Sequence, residues 1–301
     1  MEIRTLRCFL EVARTGNMTR AAERLHLSQP TLSKIMRELE EELQQQLFVR
    51  KRVGVELTEK GCLLRQQARD LVNLAEKIEQ EFQHPEEEVT GTIYIGCAES
   101  ELMKYLARAM RDLKAAHPRI QYRLMSGDTE QVTERLDRGV MDFGFLVDLP
   151  DHTKYDFLEI PYPDRFGMLM PADHPLAAKK AVTLEDLKPY PLFTSRQSFD
   201  RDLPRWDTRA QDELQVLFFY NLINNAAIFV REGLGLALTL ENILELNARS
   251  SLCFRPLEPN LEVRMYMIWR KDIRLGEAAQ LLLARMKEMM EQLKADSGSD
   301  A

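Results

Sequence analysis

Residues 18–43 constrain this chain more than any other stretch. A short segment from Thr19 to Leu25 carries Ala21, Ala22 and Leu25 on one face. The brief connection His26-Leu27-Ser28 follows, and a second helix opens on Ser28-Gln29-Pro30-Thr31. Ser28 is a good N-cap, and Pro30 falls in the first turn, the one part of a helix that has no need of its N–H. From Gln29 to Leu43, the residues Leu32, Ile35 or Met36, Leu39 and Leu43 recur at helical spacing and must face a core. Thr31, Ser33, Lys34 and Arg37 lie on the other side near the leading end, with Glu38, Glu40, Glu41 and Glu42 behind them. Two helices joined by a short turn, the second presenting hydroxyls and cations, are the arrangement of a helix-turn-helix, although a solvated face also segregates charge by chance.

The flanking sequence extends that unit. Leu6, Phe9, Leu10 and Ala13 form an apolar stripe on a first helix that Gly16-Asn17 closes. After Phe48, the run Val49-Arg50-Lys51-Arg52-Val53-Gly54-Val55-Glu56-Leu57 alternates imperfectly and turns near Gly54. It reads as a two-stranded wing whose cations can lie along a phosphate backbone, the alternative being a solvated basic hairpin. Thr58 caps a long helix in which Leu64, Ala68, Leu71, Ala75, Ile78 and Phe82 alternate four- and three-residue steps. Such a heptad seam pairs two copies of a chain, unless the helix packs on its own domain instead. The helix ends at Gln83-His84-Pro85-Glu86-Glu87-Glu88, which reads as a hinge.

Beyond the hinge the pattern changes. Strand-like Thr92–Gly96, helical Leu102–Ala116, strand-like Ile120–Met125, helical Thr129–Arg138 and a buried strand Phe143–Val147 alternate as βαβαβ, which means a parallel sheet with helices on its faces. A second pass places strands at Phe166–Met170 and Leu236–Leu240 with a helix from about Asn221 to Glu232, and the tail adds strand Arg264–Trp269 and helix Glu277–Lys294. Two α/β lobes make a cleft. The domains are therefore 1–58, a mostly α winged helix-turn-helix; 59–82, a dimerisation helix; 83–90, a hinge; and 91–301, with lobe I near 91–160 and 266–294 and lobe II near 161–265.

Of the 301 residues 41 are Lys or Arg and 48 are Asp or Glu, so the net charge of −7 argues at first against a nucleic-acid partner. The balance is not uniform. Residues 1–60 hold 11 cations and 9 acids, a charge of +2, which leaves 30 cations and 39 acids, a charge of −9, for the rest. A single DNA-binding domain then holds DNA weakly, and useful affinity requires two or more copies on one duplex. The four cysteines, Cys8, Cys62, Cys97 and Cys253, show neither disulfide nor zinc spacing, the five histidines suggest no metal site, and no GxSxG, HExxH, P-loop or complete GxGxxG is present. An enzyme, a metal centre and a membrane span are not expected, and the cytoplasm is the expected location.

Several runs together resemble LysR-type transcriptional regulators: Leu6–Ala13, Thr19–Ser33, Leu39-Glu40, Leu47–Arg50 and Leu57–Gly61 for the winged helix-turn-helix, then Gly91–Gly96, Gly139–Phe143, Asp173–Ala177 and Val230–Ala237 for the effector domain. The resemblance implies a dimer or homotetramer on the double-stranded DNA of a promoter operator, acting with RNA polymerase. It also implies an effector domain resembling periplasmic binding proteins, with a small molecule rather than a cofactor between its lobes. By similarity Thr19, Ser28, Gln29, Pro30, Thr31, Ser33, Lys34 and Arg37 serve DNA binding, with Arg50 and Arg52 holding the backbone or reaching the minor groove. The residue chemistry agrees, since Lys34 and Gln29 donate to base edges and Thr31 offers a methyl to thymine. Many members of the family carry arginine at the place of Lys34.

Ligands of α/β clefts sit at the carboxyl ends of strands, which points to Ala98, Glu99 and Ser100 after the first strand, to Asp128 and Thr129 after the second, and to Thr194 and Arg196 on the crossing segment. Ser100 and Thr129 match positions where the family places effector-binding hydroxyls, and simple N-capping explains them as well. Glu99 and Asp128 depart from what a carboxylate ligand prefers, and Arg196 can compensate. Two other functions compete: small-molecule binding without DNA, and redox sensing by Cys97, whose place near a helix start can lower a thiol pKa. A buried, inert thiol is the plainer reading.

Overall fold

In the computed structural model, which describes residues 1–51, 54–82, 89–148, 151–247 and 249–298, the chain falls into two units, Met1–Glu86 and Glu87–Ala301. The first helix, α1 (Ile3–Thr15), buries Leu6, Cys8, Phe9 and Val12. The expected stripe was centred one residue too late: Leu10 and Ala13 are only half-buried, because Cys8 and Val12 take the inner positions. Gly16 ends α1 in the left-handed region, whereas Asn17 opens the next helix rather than closing this one. Its Oδ1 accepts the N–H groups of Thr19 and Arg20 at 2.9 and 3.1 Å, which caps α2 (Met18–Arg24).

The second helix of the motif, α3, spans Gln29–Leu43 and buries Leu32, Met36 and Leu39. Ser28 Oγ accepts the Thr31 N–H at 3.2 Å, as an N-cap should. Glu40 has a task the sequence did not reveal: its Oε1 accepts the N–H groups of Leu47 and Phe48 at 2.7 and 3.0 Å and so fixes where the wing begins. The wing strands β1 (Phe48–Arg50) and β2 (Val55–Leu57) pair antiparallel, Phe48 opposite Leu57. Thr58 Oγ1 then accepts the Gly61 N–H at 3.0 Å at the start of α4 (Glu59–Phe82).

Two glycines lock the wing to α1. The Val55 N–H donates to the Gly16 carbonyl at 2.8 Å, and a Cβ on Gly54, which has φ of 88°, would lie 2.3 Å from that same oxygen. Both the backbone conformation and the space therefore demand glycine. Gly54→Val is expected to destabilise the first unit by about 2 kcal/mol. Urea unfolding should show this as a shifted midpoint, and an unchanged midpoint would refute the account.

The second unit begins with β3 (Gly91–Cys97), α5 (Met103–Ala116), β4 (Ile120–Ser126), α6 (Thr129–Asp137) and β5 (Phe143–Val147). β3 lies parallel to both β4 and β5, as the alternating pattern requires. Next comes β6 (Tyr155–Pro171), far longer than the Phe166–Met170 expected, because Pro161, Pro163 and interleaved charges hide its first half. It is followed by α7 (Leu184–Leu187), β7 (Pro191–Thr194), α8 (Leu203–Trp206), α9 (Ala210–Glu213), β8 (Gln215–Phe219), α10 (Ile223–Arg231), β9 (Leu236–Leu240), β10 (Leu252–Pro256), β11 (Glu262–Arg270) and α11 (Glu277–Gly298). The strand order is β4-β3-β5-β11-β6-β9-β7-β8, with β10 on β6. β6 and β11 thus run antiparallel through both lobes, and their register shifts between Arg264 and Tyr266. A cleft opens at the carboxyl ends of β3, β4 and β5 of one lobe, where the segment after β7 and residues of β9 from the other lobe line its opposite wall.

Candidate DNA interface and effector cleft

The outer face of α3 presents its polar groups to solvent. Thr19, Ser28, Gln29, Pro30, Thr31, Lys34 and Arg37 are exposed and Ser33 is half-buried. Ser28 and Thr31 share a hydroxyl hydrogen bond of 2.7 Å, and Gln29 Nε2 reaches Ser33 Oγ at 3.4 Å. Lys34 Nζ lies 3.6 Å from Glu38, an exposed pair one turn apart that contributes little and leaves the cation free to reach a ligand. Arg50 sits in β1 opposite Val55; Arg52 lies outside the described residues.

The seam expected along α4 divides. Leu64 and Ala68 are buried in the core of their own unit, with Val72 beside them, while Leu71 and Ile78 are 43% and 50% exposed. Ala75 is half-buried and Phe82 ends the helix. Leu64 and Ala68 therefore cannot serve a second copy, because α4 packs on α1 and β2 of its own unit; the apolar surface left over runs through Leu71, half-exposed Leu74 and Ile78. An ion pair between Arg7 and Glu79 at 3.1 Å ties α1 to α4 from the side.

Between the lobes lies a cavity of ≈ 380 Å³, within the range that holds a small molecule. Ala98, Glu99, Asp128 and Arg196 line it as the sequence suggests, whereas Ser100, Thr129 and Thr194 do not form its wall. Ser100 is buried: its Oγ donates to Asp164 Oδ2 at 2.6 Å and accepts the Leu102 N–H at 2.9 Å. It therefore braces the first loop against the crossover strand β6. Burial also pushes the Asp164 carboxyl up, against the opposing pull of that Ser100 hydroxyl. The cap of α6 is Asp128, whose Oδ1 accepts the Gln131 N–H at 2.9 Å, and not Thr129. Thr194 is buried in β7.

Side chains from one lobe close onto the other. Glu99 Oε2 accepts the N–H of Ile223, first residue of α10, at 2.8 Å. Gln197 Oε1 accepts the Thr129 N–H at 3.3 Å while its Nε2 donates to the Val147 carbonyl at 3.4 Å. Arg205 pairs with Asp148 at 2.9 Å. The Arg196 guanidinium stacks 3.7 Å from the Phe219 ring centroid. Asp202, 1% exposed, also lines the cavity, and its Oδ1 accepts no hydrogen bond among the described residues. Gln197 and Asp202 escape sequence reading because they sit in a stretch built from one π-helical turn and two four-residue helices, too short for any periodicity to register.

Burial, with Asp148 adding repulsion, pushes the Asp202 carboxyl up to about 6. An unfolded aspartate ionises near 3.8, so between those values the folded chain holds a proton that the unfolded chain lacks, and stability falls as pH rises through about 6. Asp202→Asn should remove that slope and stabilise the second unit by about 3 kcal/mol above pH 7. Urea titrations of both proteins at pH 5 and pH 8 measure it; parallel pH profiles would contradict it.

Cys97 does not have the chemistry of a redox sensor. It is buried, its thiol points to the Met125 carbonyl at 3.7 Å, and burial raises its pKa rather than lowering it. Among the described residues, no helix is long and apolar enough to cross a membrane, and no group of His, Cys, Asp and Glu is arranged to hold a metal.

Comparison with known proteins places this geometry. Residues 3–62 match the family described as "Bacterial regulatory helix-turn-helix protein, lysR family", and residues 86–291 match "LysR substrate binding domain". The chain is 28% identical over 293 residues to the uncharacterized HTH-type transcriptional regulator YvbU of Bacillus subtilis, covering 96% of this chain and 99% of that protein. It is 29% identical over 283 residues to the Hca operon transcriptional activator HcaR of Escherichia coli, covering 90% and 92%. Its fold resembles that of full-length CbnR, solved in complex with target DNA, with a TM-score of 0.71 at 21% identity, covering 96% of this chain and 99% of that one.

Proposed function

We propose, on the premise that this chain belongs to the LysR family of bacterial transcriptional regulators, that it holds a promoter operator as a dimer, or as a tetramer of two dimers, and that a small molecule in the interlobe cleft changes its grip. Family membership makes the protein a DNA-binding transcriptional regulator with an effector-binding domain. What carries the detailed reading is the two-sidedness of α3: Leu32, Met36 and Leu39 are buried while Gln29, Thr31, Lys34 and Arg37 stand exposed at its leading end.

In this reading Gln29 and Lys34 donate to base-edge acceptors in the major groove, and the Thr31 methyl meets thymine. Ser33 and Arg37 flank them. Thr19, Ser28 and the first turns of α2 and α3 fix the register on phosphates, with Pro30 shaping the turn. Arg50 and Arg52 follow the backbone beside the groove. Two copies meet along α4, and half-sites lie about one helical turn apart. RNA polymerase is the downstream partner, the cytoplasm the place of action, and the effector the sole small-molecule requirement. The test is selection of bound duplexes from random sequence with the purified protein. Enrichment of a pseudo-palindrome with that spacing is expected; recovery of sequences without a shared motif would overturn the reading.

A further inference from the structure

We infer that the interlobe cavity takes a zwitterion, an amino acid with an apolar side chain, its carboxylate at Arg196 and its ammonium at Asp202; this rests on the effector reading above and narrows it to a ligand class.

Four charged side chains line the cavity: Glu99, Asp128, Arg196 and Asp202. Two of them already have partners of their own. Glu99 accepts the Ile223 N–H at 2.8 Å and Asp128 accepts the Gln131 N–H at 2.9 Å. The other two are incompletely matched: among the described residues Arg196 has no carboxylate, and Asp202 has the Ser198 hydroxyl beside it but leaves Oδ1 without a hydrogen-bond donor. Arg196 lies on the Phe219 ring and is paired with no carboxylate among the described residues. Asp202 Oδ1 has no hydrogen-bond donor there either, for the nearest cation, Arg205 Nη1, stands 3.7 Å away and is itself held at 2.9 Å by Asp148. A buried carboxylate oxygen without a donor is costly, so a ligand that brings one gains more than an exposed contact would give.

The same inventory excludes the simpler ligands. A plain carboxylic acid would bring a fourth negative group beside Glu99, Asp128 and Asp202 and leave Asp202 unsatisfied. It cannot turn instead to the helix starts that commonly hold anions, because Gln197 Oε1 occupies the Thr129 N–H and Glu99 occupies that of Ile223. A plain amine would leave Arg196 unmatched. The hydrocarbon part has a place among Phe166, Leu238, Leu240 and Ile243. The raised pKa of Asp202 is consistent with a carboxyl waiting for a cation, since burial is its first cause.

Thermal-shift titration of the full chain with leucine, methionine and phenylalanine, each beside its deaminated acid and its decarboxylated amine, tests this directly. In at least one set the amino acid should bind about tenfold or more tightly than both relatives. Asp202→Asn should weaken that amino acid about tenfold or more and its deaminated acid by less than about twofold, whereas Arg196→Gln should weaken both. The melt of each variant without ligand establishes that it is folded. Failure of every amino acid to bind, a deaminated acid binding as tightly as its amino acid, or unchanged binding in folded Asp202→Asn would each overturn the inference. Footprinting of the selected operator separates the two readings. Deaminated acids that bind and alter the footprint would refute the zwitterion and leave effector control standing. An amino acid that binds as expected without altering the footprint would do the reverse.

Discussion

Alanine at both Ser33 and Lys34 should abolish specific operator retardation while leaving the oligomer and its unfolding midpoint unchanged. Neither side chain anchors the fold: α3 is held by Leu32, Met36 and Leu39 on its opposite face, Ser33 gives up a long hydrogen bond from Gln29 at 3.4 Å, and Lys34 an exposed pair with Glu38 at 3.6 Å. Alanine is also the stronger helix former at both sites. Each good contact to a base edge is worth about 1–3 kcal/mol, and in a dimer each loss occurs twice, so specific affinity should drop by about a hundredfold or more. Binding to unrelated duplex should fall far less, through the loss of a charge near phosphate. Retardation of operator and scrambled fragments across a salt series separates the two effects. Equal losses on both fragments would mean that Lys34 only neutralises phosphate, and undiminished operator affinity would remove α3 from the interface.

How much of this was legible in the sequence depended on how far each signal travels along the chain. α3 occupies the Gln29–Leu43 span that its cap, proline and apolar period indicate, because all three act within one or two turns. β5 and β9 coincide with their apolar runs for the same reason. The cleft was only half legible. Ala98, Glu99, Asp128 and Arg196 are at the cavity wall, but the groups that close it depend on pairings that no local pattern encodes: Glu99 meets Ile223 124 residues away, and Ser100 meets Asp164 64 residues away. A hydroxyl near a helix start looks the same in sequence whether it awaits a ligand or braces a crossover strand. Gln197 and Asp202 lie where elements of four or five residues follow one another, too short for a period to show.

The α4 seam shows the same limit and leads to a second large effect. A heptad period shows which residues share a stripe, not what covers it, and here Leu64 and Ala68 are covered by their own unit while Leu71 and Ile78 are left exposed. Leu71→Asp should convert the assembly to monomers that remain folded. Leu71 is 43% exposed in the single chain, so the carboxylate stays hydrated there and costs little, but pairing would bury two facing carboxylates without partners, a penalty of several kcal/mol. Operator affinity should fall with dimerisation, because a single unit of charge +2 over residues 1–60 makes few phosphate contacts. Ala68→Asp is the contrasting variant: Ala68 is fully buried in its own unit, so a carboxylate there should unfold the winged domain whether or not a partner is present. Sedimentation and far-ultraviolet circular dichroism of both variants distinguish these outcomes. A dimeric Leu71→Asp would place the contact between copies elsewhere, and a folded, monomeric Ala68→Asp would restore the original seam.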